Sequence, residues 1–489
     1  MTSPNREARK SVRLVSVELG FTLVIQFLSG IGLARILHPR DFGLYGITFM
    51  VFSLAGLFTD WGAKQRLIQS PHEPDTQTLK IALTSRLMLC ALVVPLVWIF
   101  STRIAAIYTQ DPLQLSWMIR VYSLVLLLAA VRQNCETSLE RNLTYQPLVV
   151  VGLSETLLRR VLILLLAVAG AGAWSFIWGH VVAFFAGTVA IWQISKAPLG
   201  LAFDRHLTLD LIRQGLAFRL HLVGGRLRRM ATLTLVTRIL GLEAAGYMKW
   251  AHDTGGRSLL LVESATRVAL SHFSRLQDDP SRLESVLKRY IYTSVVLLGL
   301  WFCVLSVAGR DLIAAIYTDK WLPAWGATCV FALGAVLVAI GRFSVSALQG
   351  AGRPRFAVGM TFLQVALTLL LVIFLVPELG IPGAPLGELI AFATVIPFLV
   401  WGIPGATAAL LLRPLTRLLL PLAMGLGGGS LIAGLELPIL LRGLLTAGVT
   451  TAVYLIANWI TGPPWLRDFV REEIVFVLGT LGRLVKSRR

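Results

Sequence analysis

The sequence predicts an all-α integral membrane protein of about fourteen transmembrane helices. We expect two parallel six-helix bundles and two C-terminal helices around a central cavity. Three observations predict this class: the chain carries very little charge, it is a regular succession of apolar segments, and its basic residues alternate between connections. Only 15% of the 489 residues are charged, whereas soluble domains have about 25%.

The chain contains too few charged residues to cover the surface of a soluble protein of this size. Hydrophobic residues make up 56% of the chain and the mean hydropathy is +0.73, so a bilayer is the solvent that fits. The formal net charge is +19. A soluble chain with this charge would suggest nucleic acid, but in a membrane protein basic residues orient the loops or mark an anionic path. We expect no nucleic-acid partner.

Apolar segments long enough to cross the bilayer recur along the whole chain. A spanning helix needs about 20 predominantly apolar residues. The first segment follows a basic start and is of full spanning length, so we expect it to stay in the membrane rather than be cleaved. The predicted spans are 12–36, 42–63, 79–101, 113–138, 147–169, 174–195, 209–238, 244–270, 287–308, 322–349, 356–376, 383–404, 415–434 and 439–460.

The basic residues of the connections support this division and fix its orientation. With the N-terminus inside, cytoplasmic segments hold about 25 Lys and Arg residues and the opposite side about 7, the asymmetry expected of cytoplasmic loops. An even number of spans then leaves both termini in the cytoplasm. The tail, 463–489, mixes apolar and basic residues; it fits either an amphipathic helix on the inner leaflet or a solvated tail.

Two sequence echoes indicate an internal repeat. The string Ile-Ala-Ala-Ile-Tyr-Thr occurs at 104–109 and again at 313–318, and Arg-Ile-Leu with a glycine eight residues after the arginine occurs at 35–43 and 238–246. Each copy follows an odd-numbered span, so the repeat is six helices in the same orientation. We therefore divide the chain into an N-lobe (1–205), a C-lobe (206–412), two added helices (413–462) and the tail (463–489).

The region after the first span carries a recognisable motif. The stretch Ala-Arg-Ile-Leu-His-Pro-Arg-Asp-Phe-Gly-Leu-Tyr at 34–45, followed by Asp-Trp-Gly at 60–62 and Leu-Ile-Gln at 67–69, resembles the polysaccharide transporter family. That family includes the Wzx-type flippases of O-antigen and exopolysaccharide repeat units, within the multidrug/oligosaccharidyl-lipid/polysaccharide (MOP) exporter superfamily. Beyond residue 420 only the number of helices supports the resemblance.

The resemblance implies a bacterial cytoplasmic-membrane flippase for undecaprenyl-diphosphate-linked oligosaccharide. It would work by alternating access, in contact with membrane lipid and with a polysaccharide polymerase as a possible partner. No bond is made or broken, so an enzyme activity, a cofactor and a metal are not expected. Within the motif itself we expect fold chemistry: Asp41 as the N-cap of the second span, and Gly43 and Gly46 as points of close helix approach.

The seventh span, unlike most of the others, contains many charged residues. Arg219 and Arg226 differ by about 20° around a helix, and Arg229 lies about 80° from Arg219, so the three form a basic stripe. In the eighth span Lys249, Asp253 and Arg257 follow at intervals of four. Arginine forks match phosphate oxygens.

The resemblance places spans 1, 2, 7 and 8 around the cavity. It therefore implies that Arg219, Arg226, Arg229, Lys249 and Arg257 bind the anionic head group. Candidate residues for ion coupling in these spans are Glu18, Asp60 and Asp253. The four-residue spacings also allow simple pairs along one helix, namely Lys249/Asp253, Asp253/Arg257, Arg132/Glu136 and Glu155/Arg159; Lys64 and Asp60 look like a further pair.

Three alternative functions compete with this one. A lipid II flippase shares the fold and an anionic substrate. A MATE-like multidrug exporter takes cations, and the mainly basic cavity helices disfavour it. A membrane-bound glycosyltransferase or polymerase would need a large extramembrane loop with acidic residues, and every connection here is short.

Overall fold

A computed structural model describes residues 4–59, 64, 67, 75–141, 144–276, 279–407, 409–465 and 467. Within these ranges the description does not include the side chains of residues 4–19, 211–222, 261, 264, 267, 268 and 271. All regular secondary structure in the described part of the chain is helical, as the composition predicts. The chain divides into two compact units, Met1–Lys249 and Trp250–Arg489.

The described residues of the N-terminal unit form eight helices and the start of a ninth. Their bounds are α1 Pro4–Ile36, α2 Pro39–Thr59, α3 Thr76–Tyr108, α4 Pro112–Ser123, α5 Val125–Arg141, α6 Tyr145–Val168, α7 Trp174–Ser195, α8 Arg205–Leu240 and α9 Leu242–Gly255.

The C-terminal unit begins in α9 and includes an irregular segment after its second long helix. A 3₁₀ turn at Gly256–Ser258 leads into α10 Leu259–Ser274 and α11 Pro280–Val307. A single α turn (Gly309–Leu312), a π turn (Ile313–Tyr317) and a 3₁₀ turn (Asp319–Ala324) make up the irregular segment. The remaining helices are α12 Trp325–Gly350, α13 Pro354–Leu379, α14 Gly383–Trp401, α15 Ala409–Ala433 and α16 Ile439–Thr461.

Every predicted span overlaps one helical segment. The fourth span is α4 with α5, and the eighth is α9, the 3₁₀ turn and α10. Among the described residues, ten helical segments are long and apolar enough to cross a membrane, so the chain is a multi-pass membrane protein. The other four predicted spans are not among these ten. The described apolar part of α1, Gly20–Ile36, is short, and α6, α8 and α9–α10 are more charged. The number fourteen and the cytoplasmic termini stay predictions.

Acidic caps and glycines set several helix ends. Asp75, Asp204 and Asp279 precede α3, α8 and α11, and each carboxylate accepts a hydrogen bond from a backbone N–H of the first turn, which satisfies a donor that the helix leaves open. Gly241 and Gly380 end α8 and α13 with φ of +90° and +66°, values that glycine adopts without steric cost.

The helices of the two halves pair in the same order. In the N-terminal unit α6 packs on α7, α5 on α7 and α3 on α4. In the C-terminal unit α13 packs on α14, α12 on α14 and α11 on α12. These are the same pairs of predicted spans, shifted by six. The packing supports the internal repeat independently of the sequence echoes, although α8 groups with the N-terminal unit and the lobe boundaries at 205 and 412 stay predictions.

Each unit has its own apolar interior. Leu115, Met118 and Tyr122 are fully buried in the N-terminal unit, as are Phe273 and Phe343 in the C-terminal unit. Large apolar side chains on outer faces, for example those of α13, remain exposed, as expected of surfaces that face lipid. Of the four cysteines, Cys329 is half-buried and the other three are buried.

Candidate functional site

The basic helix α8 lies against α2 and α3 within the N-terminal unit. The hydroxyl groups of Tyr108 on α3 and Thr234 on α8 are 2.8 Å apart and hydrogen-bonded. Met230 and Leu233 of α8 pack against the apolar cluster that includes Leu44 and Ile47 of α2. One face of α8 is therefore held by apolar packing and a hydrogen bond, which fixes where its arginines lie.

Arg226 reaches the backbone of α2. Its Nη1 donates a hydrogen bond of 2.7 Å to the carbonyl oxygen of Ser53, and the side chain is half-buried. A carbonyl oxygen is neutral, so this contact orients the guanidinium group without cancelling its charge. Arg229, one turn further along, is exposed. Arg219 lies on α8 two turns before Arg226, and its side chain lies outside the description.

Lys249 contacts the sequence motif at the start of α2. Its ammonium nitrogen lies 5.7 Å from the centre of the Tyr45 ring, within the range of a cation–π interaction. Its methylene stem would lie 3.6 Å from a Cβ placed on Gly46. Since Tyr45 and Ser53 are eight residues apart, Lys249 and Arg226 meet α2 at points about 12 Å apart along its axis.

The close approach of α2 and α9 rests on two glycines from the repeated motif. A Cβ on Gly246 would lie 2.6 Å from the carbonyl carbon of Pro39 and 3.1 Å from the nitrogen of Gly43. A Cβ on Gly43 would lie 3.2 Å from the nitrogen of Gly246 and would clash with the Leu242 carbonyl oxygen. The two glycines occupy equivalent positions in the two copies of the repeat, so the two copies contact each other at these glycines. The expected close approach at Gly43 is confirmed.

Asp41 does not occupy the N-cap position that the sequence suggested. The helix α2 starts at Pro39, and Asp41 lies in its first turn, where its Oδ2 accepts a hydrogen bond of 2.9 Å from the N–H of His38. This is the back-reaching half of a capping box. Proline at the first helical position explains the difference, because its fixed φ starts the helix three residues earlier than predicted.

The roles of the other proposed site residues stay predictions. Asp253 and Arg257 belong to the C-terminal unit: Asp253 is exposed, 3.5 Å from the Nδ1 of His252, and Arg257 is half-buried in the 3₁₀ turn beside Tyr317. Glu18 lies on α1 with its side chain outside the description, and Asp60 is outside the described residues.

A partly buried charge network in the N-terminal unit was only partly predicted. Arg132 pairs with Glu136 at 2.8 Å along α5, as the four-residue spacing suggests, but it also pairs across to Glu155 of α6. The predicted pairing of Glu155 with Arg159 is thus replaced by a contact between helices. Lys64 pairs with Glu136 at 2.7 Å and with Glu140 at 2.8 Å. Ion pairs between residues so far apart in sequence leave no local pattern from which they could be predicted.

The site can therefore offer oriented cations inside a membrane domain. Arg226 and Lys249 are held against α2 by a hydrogen bond and an aromatic contact, and Arg229 is exposed on the same helix as Arg226. Fixed guanidinium and ammonium groups bind phosphate-like anions, and a low-dielectric surrounding strengthens the attraction.

The comparisons with known proteins agree with this architecture. A family model described as "Polysaccharide biosynthesis protein" matches residues 32–325. The succinoglycan biosynthesis transport protein ExoT of Rhizobium meliloti is 21% identical over 337 residues, covering 68% of this chain and 67% of that protein. An uncharacterized membrane protein in the cps region of Klebsiella pneumoniae is 24% identical over 395 residues, covering 76% and 77%.

Among solved structures, the lipid II flippase MurJ in an inward closed conformation has the same fold. Its TM-score is 0.76 at 14% identity, covering 93% of this chain and 99% of that one. An inward-facing MATE transporter of the MOP superfamily gives 0.61 at 13% identity, covering 80% and 97%. The resemblance seen in the motif at 34–45 is confirmed: this chain is a multi-pass membrane protein of the polysaccharide biosynthesis family, with the fold of MOP-superfamily transporters.

Proposed function

We propose that this protein is a flippase that carries lipid-linked oligosaccharide repeat units across the bacterial cytoplasmic membrane by alternating access. The observation that carries the proposal is the basic helix α8, with Arg226 held against α2 by its hydrogen bond to Ser53. An undecaprenyl-diphosphate-linked glycan is anionic at its head group, and oriented cations compensate for the hydration that the diphosphate loses during transit. The family and the relative named as a transport protein support this substrate class.

In this proposal, basic residues of α8, of α9 and of the 3₁₀ turn that follows it bind the diphosphate, namely Arg219, Arg226, Arg229, Lys249 and Arg257. The sugars occupy polar space and the polyprenyl chain stays in lipid. Glu18, Asp60 and Asp253 are the proposed residues for coupling to an ion gradient. We further propose that both termini are cytoplasmic and that a polysaccharide polymerase receives the product.

The direct test is a translocation assay in liposomes. Purified protein is reconstituted with a short-chain polyprenyl-diphosphate oligosaccharide, and the glycan that becomes accessible to an added glycosidase is measured. We expect saturable, protein-dependent translocation. Arg226→Ala should slow it about tenfold or more, because a hydrogen bond to a charged group is lost, and Arg226→Lys should retain part of the rate. No translocation by the wild-type protein would refute the proposal.

A matched control separates the cavity role from a general effect of lost charge. Arg413 lies exposed on α15 in the C-terminal unit, and Arg413→Ala should flip at the wild-type rate. If Arg226→Ala, inserted and folded at the same level, flips as fast as Arg413→Ala, then Arg226 does not bind the substrate.

The alternative functions give different results in the same liposomes. A lipid II flippase would translocate lipid II faster than the oligosaccharide carrier. A multidrug exporter would move a cationic dye under an ion gradient and leave the lipid-linked glycan in place. The MurJ-like fold keeps the first alternative under consideration; the basic residues of α8 argue against the second.

A further inference from the structure

The C-terminal unit contains a cavity of about 840 Å³ that the proposed function does not use. Its walls are the end of α11, the irregular segment at 309–324, the start of α12, the end of α15 and the start of α16. The volume is typical of sites for small ligands. In the orientation predicted by the basic residues, the connections after α11 and α15 both lie on the extracytoplasmic side. The polar and aromatic lining residues include Arg310, Asp311, Asp319, Trp325, Ser430 and Arg442.

The charges of the cavity balance each other. Arg442 binds Asp311 with two hydrogen bonds, of 2.6 Å from Nε and 2.7 Å from Nη2, in the fork geometry that strengthens such pairs. Arg310 and Asp319 are exposed and add one charge of each sign. A phosphate would have to displace Asp311 from Arg442, and no net positive charge would favour it. A neutral polyol, by contrast, finds both donors and acceptors for its hydroxyl groups.

An aromatic ring forms part of the same wall. The indole nitrogen of Trp325 donates a hydrogen bond of 3.0 Å to the carbonyl oxygen of Leu305, which fixes the ring, and the side chain remains partly exposed. A fixed indole offers an apolar surface beside polar groups. Sugar rings have that same combination, with C–H groups on one face and hydroxyl groups around the edge.

The irregular segment beside this cavity contains the second copy of the repeated string, which folds differently from the first copy. The first copy of the repeated string, Ile104–Thr109, ends α3 as a regular helix, and Thr109 has an ordinary extended φ of −148°. The second copy forms a π turn, and Thr318 has φ +89° and ψ 159°, a conformation that is essentially restricted to glycine. This strained residue directly precedes Asp319 and the 3₁₀ turn that leads to Trp325. Strain and π turns concentrate at functional sites.

We infer that this cavity binds neutral sugar units of the transported glycan on the extracytoplasmic side. The inference rests on the proposed function for the identity of the glycan. Arg310, Asp319 and the Arg442–Asp311 pair hydrogen-bond sugar hydroxyl groups, and Trp325 stacks against a ring. Such a site would hold the glycan after transit and hinder its return, without contacting the diphosphate.

The test measures binding of a lipid-free sugar to the full-length protein in detergent. The probe is the repeat-unit oligosaccharide cut from the host's own polysaccharide, which carries neither lipid nor diphosphate, and the readout is isothermal titration calorimetry. We expect wild-type protein to bind it. Arg310→Ala and Asp319→Asn, both at exposed positions, should each weaken the affinity about tenfold, because each removes a charged hydrogen-bonding partner.

Two substitutions of residues that do not line the cavity serve as controls. Glu436 is exposed in the connection after α15 but does not line the cavity, so Glu436→Gln should bind like wild type. Arg226→Ala removes a proposed diphosphate ligand and should also leave binding unchanged. Absence of binding to wild-type protein, equal loss with Glu436→Gln, or loss with Arg226→Ala alone would each overturn the inference.

The same measurements distinguish this inference from the proposed function. Oligosaccharide binding without translocation would refute the flippase and leave the sugar site standing. Translocation without oligosaccharide binding would refute the sugar site alone. Displacement of the oligosaccharide by phosphatidylglycerol vesicles, but not by uncharged phosphatidylcholine vesicles, would identify a lipid head-group site and overturn the inference.

Discussion

Replacing Gly246 with alanine tests the contact between the two repeat copies. An alanine Cβ at this position would lie 2.6 Å from the carbonyl carbon of Pro39, and ordinary contact begins at 3.4 Å. The Pro39 carbonyl oxygen would lie closer still, so the backbones of α2 and α9 would have to separate by more than about 0.8 Å. Because the obstacle is backbone rather than a flexible side chain, rotamer changes cannot relieve it.

The expected cost can be set against the gain in helix propensity. Alanine favours a helix over glycine by about 1 kcal/mol, while overpacking a tight contact costs about 1–3 kcal/mol, or more when backbone is involved. We expect Gly246→Ala to be destabilised by up to about 2 kcal/mol net. The separation of the helices should also shift Lys249 relative to Tyr45, so translocation should fall with stability.

The assay is thermal unfolding in detergent, followed by the loss of the monodisperse peak in size-exclusion chromatography. The matched control is Gly225→Ala on α8, where a Cβ would meet nothing within 4 Å; it should be as stable as wild type or slightly more so. If Gly246→Ala melts at the same temperature as Gly225→Ala, the two glycines do not fix the packing of α2 on α9.

Three further predictions follow from buried pairs and helix caps. Arg132→Leu should cost about 3 kcal/mol, because Glu155 keeps a buried charge without this partner, and a thermal melt should show a larger loss than for an exposed arginine. Asp41→Ala should cost about 1 kcal/mol by removing the acceptor for the His38 N–H, whereas Asp41→Asn, which keeps an acceptor oxygen, should lose less in the same melt. The backbone N–H of residue 282 and the Ser281 hydroxyl lower the pKa of Asp279 below 3.8; its stabilisation of α11 is therefore fully present above that value and is lost as the pH falls through the lowered pKa. The melting temperature of Asp279→Asn should consequently fall less between about pH 5 and pH 3 than that of wild type.

The sequence predicted where most of the helices lie because membrane insertion is a local property. Each span must bury about 20 residues of backbone in hydrocarbon, and hydropathy alone detects that requirement. All fourteen predicted spans overlap helices, and the family resemblance came from one contiguous motif at 34–45. Hydropathy is least informative for the charged segments α6, α8 and α9–α10.

The arrangement of the site could be predicted only in part. Helical periodicity put Arg219 and Arg226 on one face, but it could not show that Arg226 would bond to Ser53, 173 residues earlier. The spacing predicted the pair of Arg132 with Glu136 correctly and the pair of Glu155 with Arg159 wrongly. A carboxylate takes the nearest cation in space, and local spacing describes only those on its own helix.

From the sequence we could infer that the chain spans a membrane repeatedly, that it contains a repeat, and that its seventh predicted span is rich in arginine. These follow from composition, hydropathy and local pattern. Only the tertiary structure shows that Gly43 contacts Gly246 and that Lys64 forms an ion pair with Glu136. It also shows that the same six-residue string ends a regular helix at 104–109 but forms a π turn at 313–318. Such features depend on which surfaces pack together, because the same residues adopt different conformations when different neighbours surround them.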